Sequence, residues 1–274
     1  MTKKNTLLLG SVAYDPKVIA IWDIIRAYYQ ENGLPLDYVL FSNYEAQVDA
    51  LLKGFIDIGW NTNVAYIQLQ GKLGGRAKVL GMRDTDIDYT TKIIARADKG
   101  IQALQDLKGK KVALGSADSA QAAILPYYFL KENGIDPEKD IELLRFNMDV
   151  GKHGDTGTSE YEVLRALKQG EADAGAIGES TWIRMLEQGL ANTNEIHGIW
   201  TSPGYSHCNF TVLPEFDDAV GQRFTELLFA MDPTQSVIRH MMEMEGLNEW
   251  VSAEGAGFLG YEVLERAMKG QGLL

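Results

Sequence analysis

The chain has 274 residues, 45% of them hydrophobic and 23% charged, with a single cysteine and a formal charge of −12. That length makes one large or two medium domains, and the acidic balance argues against nucleic acid and anionic membrane surfaces, which need basic patches. The lone Cys208 excludes an intrachain disulfide and any multi-cysteine zinc or iron–sulfur site.

Met1–Asn5 leads directly into Thr6–Leu9, without the long apolar stretch and small-residue cleavage site of a signal peptide. No run approaches the roughly 20 apolar residues of a membrane span. The expected location is periplasmic or extracytoplasmic if a leader has been removed, and cytoplasmic if the chain is native as written. Leu7–Leu9 reads as a buried strand. Asp15 and Pro16 then supply a cap and a first-turn proline for a helix whose apolar residues recur at Val18, Ile19, Trp22, Ile25 and Tyr29. Leu36–Phe41 is the next strand, Tyr44–Lys53 a helix closed by Gly54, and Phe55–Gly59 a third strand. Asn61, Thr62 and Asn63 cap a helix reaching about Gln70, and Val79–Leu80 is a short strand. This βαβαβ order predicts a mostly parallel sheet with helices on both faces.

The same grammar then repeats. Tyr89–Arg96 is β-rich, and Lys111–Leu114 is a strand running into Gly115–Ser119. A helix follows from Ser119 to Glu132, then a strand at Ile141–Phe146 and a helix over Ser159–Gln169 closed by Gly170. Ala172–Ile177 (strand), Glu179–Gln188 (helix) and Glu195–Trp200 (strand) complete the unit. Asn209–Leu213 reads as a strand returning to the first sheet, and helices occupy Asp217–Ala230, Thr234–Met244 and Gly260–Lys269. The expected architecture is α/β in two lobes, a discontinuous one of residues 1–84 with 206–274 and a continuous one of residues 85–205. A two-stranded hinge would join them, with a ligand cleft between.

Four stretches carry a resemblance. They are Gly10-Ser11-Val12-Ala13-Tyr14-Asp15-Pro16; the run from Tyr44 through Gly54 and Asp57 to Trp60; Asp106–Ala113 followed by Pro126–Pro137; and Ala166 through Gly170 and Asp173 to Ala176. In order and spacing the chain resembles the type 2 periplasmic substrate-binding proteins of ABC transporters, in their phosphate-, phosphite- and phosphonate-binding group. The resemblance spans nearly the whole chain. It implies a two-lobed protein that closes by hinge motion on a small phosphonate-, phosphite- or sulfonate-like anion, or a zwitterionic relative. It also implies delivery to an ABC permease, with no catalysis and no cofactor; a monomer is expected. The alternative is a cytoplasmic enzyme or ligand sensor on the same two-lobed fold.

Helix N-termini offer unpaired N–H groups and a partial positive charge, so an anion can bind without lysines. Four such starts are candidates: Tyr14-Asp15, Asn61–Asn63, Ser116–Gln121 and Glu179–Thr181. The expected ligand-binding set is Tyr14, Trp60, Asn61 and Thr62 in lobe one, with Tyr89, Ser116, Ser119, Gln121, Glu160 and Glu179 in lobe two. Trp60 and Tyr14 each follow a strand and are expected at the cleft rim. Trp182 is a further contact candidate, whereas Trp22, Trp200 and Trp250 read as structural. Two positions depart from the family. Its hydroxyl-rich run before the helix proline is here Ser119-Ala120-Gln121-Ala122, and its histidine ten residues before the helix-ending glycine is Glu160. A carboxylate facing a dianion is repulsive in a low-dielectric cleft. Either Glu160 turns outward or the ligand carries an amine or several hydroxyls. The glycine-rich loop Gly151–Thr158 suits ligand contact, and equally an ordinary solvated loop. No metal site is expected: His153, Asp155 and His207 have no ligand spacing, and adjacent His207 and Cys208 point apart in an extended strand. Neither nucleotide-binding glycine motif follows any strand.

Overall fold

A computed structural model of the protein describes residues 6–253 and 259–274; the opening Met1–Asn5 lies outside them. The chain divides into two compact units, Met1–Asp88 with Tyr205–Tyr261 and Tyr89–Gly204 with Glu262–Leu274. Among the described residues, no helix is long and apolar enough to cross a membrane.

The first unit is built on β1 (Leu7–Val12), β2 (Leu36–Phe41), β3 (Ile58–Asn61), β4 (Lys78–Arg83), β10 (Asn209–Val212) and β11 (Trp250–Val251), in the order β11-β4-β10-β3-β1-β2. Helices α1 (Lys17–Glu31), α7 (Asp218–Phe229) and α8 (Ser236–Glu245) bring Trp22, Ile25, Tyr29, Phe224 and Met241 into one core with Leu9, Ile58 and Phe210. Tyr29 stacks on Phe224 with ring centroids 4.9 Å apart, and its hydroxyl donates to Phe224 O. Helices α2 (Tyr44–Leu52) and α3 (Asn63–Leu73) contribute Tyr44, Val48, Leu51, Ala65 and Leu69 to a second core with Val12 and Ile56. Each large side chain so buried contributes about 1.5–3 kcal/mol.

The second unit has β5 (Thr91–Arg96), β6 (Lys111–Leu114), β7 (Glu142–Arg145), β8 (Ala174–Gly178) and β9 (Ile196–Thr201), ordered β7-β6-β8-β5-β9. It carries α4 (Leu125–Glu132), α5 (Thr158–Gln169) and α6 (Glu179–Glu187). The last helix, α9 (Tyr261–Gly270), starts at the unit boundary. Residues 262–274 group with the second unit, where Gln271 Nε2 donates to Ile124 O at 3.0 Å; the sequence reading puts them in the first lobe.

Both sheets are mixed where the sequence predicts mostly parallel ones. β1–β2, β1–β3, β6–β7 and β6–β8 are parallel. β10 pairs antiparallel with β3 and β4, and β5 pairs antiparallel with β8 and β9. β5 and β10 are each the first strand after a passage between units, so no crossover helix sets them parallel to their neighbours.

The repeated Gly-x-x-Asp pattern has one structural job, done twice. Gly54 and Gly170 adopt φ of +68° and +76° to end α2 and α5. Asp57 Oδ2 then accepts from Leu8 N at 2.9 Å, and Asp173 Oδ2 accepts from Lys111 N at 3.0 Å. Each aspartate pins the incoming strand to the start of its parallel neighbour.

Candidate functional site

In the second unit, the segments after β6 and β8 carry most of the candidate residues. The sequence predicts one α-helix from Ser119, but Ala120–Ile124 forms a π turn ahead of α4. Pro126 has no N–H to bond the Ala122 carbonyl, which instead accepts from Gly115 N at 2.8 Å. Ser119 caps this turn, its Oγ accepting from Ala122 N at 3.2 Å. The turn carries Gln121 beside Gly178. A Cβ on Gly178 would stand 2.8 Å from Tyr89 Oη, 3.0 Å from Gln121 Cγ and 3.1 Å from Glu160 Oε1, so the glycine is what lets those side chains meet.

Glu160 does not turn outward. It is buried, and its Oε1 accepts from Gly178 N at 2.6 Å, with Thr181 and Gln121 also hydrogen-bonded to the carboxyl. Burial pushes its pKa up to about 7, against the pull of those hydrogen bonds and the Arg184 charge. Glu160 therefore sits near the balance between neutral and charged forms. Tyr89 Oη lies 2.6 Å from Ser180 Oγ. Glu179 is engaged elsewhere, accepting from Thr90 Oγ1 and pairing with Lys92 Nζ at 2.9 Å. The Thr90 hydroxyl and the Lys92 ammonium hold its carboxyl below the usual range.

Ser116 is fully buried, and its Oγ has no hydrogen-bond partner among the described residues. The same holds for Ser159 Oγ and Asp118 Oδ1. The sequence reading passed over Ser159 and Asp118, although both flank residues it chose. Ser159 abuts the end of β6, since a Cβ on Gly115 would lie 2.7 Å from its Oγ. Asp118 Oδ2 accepts from Gly151 N at 2.6 Å, and Asn147 Oδ1 accepts from Ala117 N at 2.9 Å. The Asp118 bond holds the start of the glycine-rich loop. Its Gly154, at φ +89°, lies so close to Ser119 and Gln121 that a Cβ would run into Ser119 Oγ. Buried polar atoms are seldom left without partners, so the two hydroxyls are suited to a ligand's hydrogen bonds.

In the first unit, Asn61 ends β3 and Thr62 caps α3, its Oγ1 accepting from Ala65 N at 3.2 Å. Gln47 Nε2 donates to Asn61 Oδ1 at 2.8 Å and to Trp60 O at 2.7 Å. Asn61 Nδ2 and Gln47 Oε1 are buried without a partner among the described residues. Trp60, expected at a rim, lies in the core: it is 3% exposed, 4.5 Å from Phe210 and 5.7 Å from Trp250 between ring centroids. Alternation along β3 explains the difference, because turning Asn61 toward α2 turns Trp60 to the opposite face. Tyr14 is half-buried at the start of α1, with Lys17 Nζ 5.9 Å from its ring centre. Trp182 packs in the second unit's core.

His207 and Cys208 correct another expectation. His207 Nδ1 and Cys208 Sγ are 3.0 Å apart rather than turned away from each other. The two residues precede β10, and their backbone amides both point to Asp86: His207 N to its carbonyl at 2.9 Å, Cys208 N to Oδ1 at 3.1 Å.

Residues 13–257 match the family model for the ABC transporter, phosphonate, periplasmic substrate-binding protein. The probable ABC transporter phosphite binding protein PhnD1 of Prochlorococcus marinus is 20% identical over 249 residues, covering 87% of this chain and 80% of its own. The phosphate-import protein PhnD of Mycolicibacterium smegmatis is 24% identical over 246 residues, 86% of this chain and 70% of its own. The solved structure of P. marinus PhnD1 in complex with methylphosphonate superposes with a TM-score of 0.72 at 17% identity, covering 98% of this chain and 99% of that one. That likeness shows a shared two-lobed fold.

Proposed function

This chain belongs to the phosphonate family of ABC-transporter periplasmic substrate-binding proteins, and we propose that it binds a small tetrahedral oxyanion of the phosphonate or phosphite class and hands it to an ABC permease. The observation that carries the ligand class is the pair of buried hydroxyls, Ser116 Oγ and Ser159 Oγ, which have no partner among the described residues. A hydroxyl can donate to an anionic oxygen without bringing a charge, so oxyanion recognition is compatible with an acidic protein. Ser119, Gln121 and Tyr89 would supply further polar contacts in the second unit. We leave Trp60 and Glu179 out of the set, since each is committed to protein partners. In its neutral form Glu160 adds no charge against the anion. A monomeric periplasmic carrier fits this role.

A thermal-shift panel of phosphite, phosphate, methylphosphonate, aminoalkylphosphonates and alkylsulfonates tests the reading. A true ligand at about 100 times its Kd adds about 2.7 kcal/mol to stability. Strong shifts confined to phosphorus oxyanions are expected. A panel without any shift rejects the ligand class.

A further inference from the structure

Asp86, His207 and Cys208 lie together in the first unit, fully or nearly buried, with one ligating atom from each within 4.8 Å of the others. His207 Nδ1 stands 3.0 Å from Cys208 Sγ and 3.7 Å from Asp86 Oδ1. Surrounding groups hold them in place. Arg83 grips Asp86 through Nε at 2.6 Å and Nη2 at 2.7 Å, and reaches Glu245 Oε1 at 3.3 Å. Tyr261 Oη donates to His207 O at 3.4 Å and accepts from Asn209 Nδ2 at 2.9 Å. The arrangement supplies one nitrogen, one sulfur and one oxygen, and Arg83 orients the Asp86 carboxylate from outside.

Two buried carboxyls, Asp86 and Glu245, face the Arg83 guanidinium beside the trio. Zinc–ligand bonds of about 2.0–2.3 Å put tetrahedral ligands about 3.3–3.6 Å apart. The two spacings from His207, 3.0 and 3.7 Å, bracket that range, and the third lies within 4.8 Å.

We propose that Asp86, His207 and Cys208 bind one divalent transition metal ion of the zinc class. Asp86 Oδ1 exchanges its 3.1 Å contact with Cys208 N for the metal and keeps Arg83 as its outer partner. Asp86 lies just before the first passage of the chain between units, and His207 and Cys208 lie just after the second. The ion therefore ties the roots of both passages together inside the first unit.

Cobalt(II) titration of the chelator-treated protein tests this, because thiolate ligation gives a near-ultraviolet charge-transfer band. The expected result is one equivalent bound, a band displaced by zinc, and loss of the band in Cys208→Ala. His207→Ala should weaken zinc binding by at least about tenfold. Cys208 is the sole thiol, so its alkylation rate in the unaltered protein gives a readout that needs no variant; zinc should slow it by at least about tenfold. Absence of both the band and the thiol protection overturns the proposal, as does cobalt binding that is unchanged in a folded Cys208→Ala protein.

Discussion

Glu160 Oε1 accepts the Gly178 amide at 2.6 Å inside the second unit, joining the first turn of α5 to the end of β8. Burial pushes this carboxyl to a pKa of about 7, from an ordinary value of 4.5. A carboxyl whose folded pKa lies above its unfolded one takes up a proton on folding between the two values. Its contribution is complete below about pH 4.5 and is lost as pH rises through about 7, a change of up to about 3 kcal/mol. Glu160→Gln keeps an oxygen for the Gly178 amide and cannot ionise. Urea unfolding at about pH 5 and about pH 8 should show wild type losing more stability than the variant by that amount. Parallel pH profiles would contradict the assignment.

The same titration bears on the ligand. An anion beside Glu160 favours its neutral form, so affinity for methylphosphonate, corrected for the ligand's own second ionisation, should fall as pH rises through about 7. In Glu160→Gln that pH dependence should flatten. Affinity that is unchanged across this range in wild type would place Glu160 away from the ligand.

Trp60 packs against Phe210 and Trp250 with Arg83 5.4 Å from its ring centre. Trp60→Ala should therefore destabilise the protein by about 3–5 kcal/mol. Trp60→Phe, folded but less stable, should bind methylphosphonate as wild type does. A calorimetric affinity loss in Trp60→Phe with full retention of stability would return Trp60 to the ligand set.

Gly154 combines a positive φ with a Cβ position already taken by Ser119 and Gln121. Gly154→Ala should lower stability by about 1–2 kcal/mol or more and weaken ligand binding by displacing those two side chains. Equal loss of stability with unchanged affinity would show that Ser119 and Gln121 do not contact ligand.

Much of the fold was legible because periodicity and punctuation agree. Leu36–Phe41 and Lys111–Leu114 have the expected bounds, and the Gly-x-x-Asp pattern marks a helix end and strand entry in both units. Other features depended on long-range partners. The strand expected from Phe55 begins at Ile58, because Asp57 first spends its carboxylate on Leu8 N and Phe55 stays 67% exposed. Trp60 shows the limit for the site: following a strand fixes a position along it, but the face follows from a register that one sequence does not display. His207 and Cys208 were misread for a similar reason. Local spacing assumed extended backbone, and Asp86, 122 residues earlier than Cys208, turns both amides toward itself. Glu160 is visible through family spacing, and Ser116 through the helix start expected at Ser116–Gln121. The π turn that carries Gln121 arises from a proline effect on a carbonyl that only the fold can redirect to Gly115.

The most direct test of the account is calorimetric titration of methylphosphonate into wild type, Ser116→Ala and Ser159→Ala. Neither hydroxyl bonds to a described protein group, so both variants should keep the wild-type melting temperature. Each should lose about 1–3 kcal/mol of binding free energy, roughly 5- to 150-fold in Kd. Variants that bind as tightly as wild type, or a wild type that gives no binding heat with any phosphorus oxyanion, would contradict it.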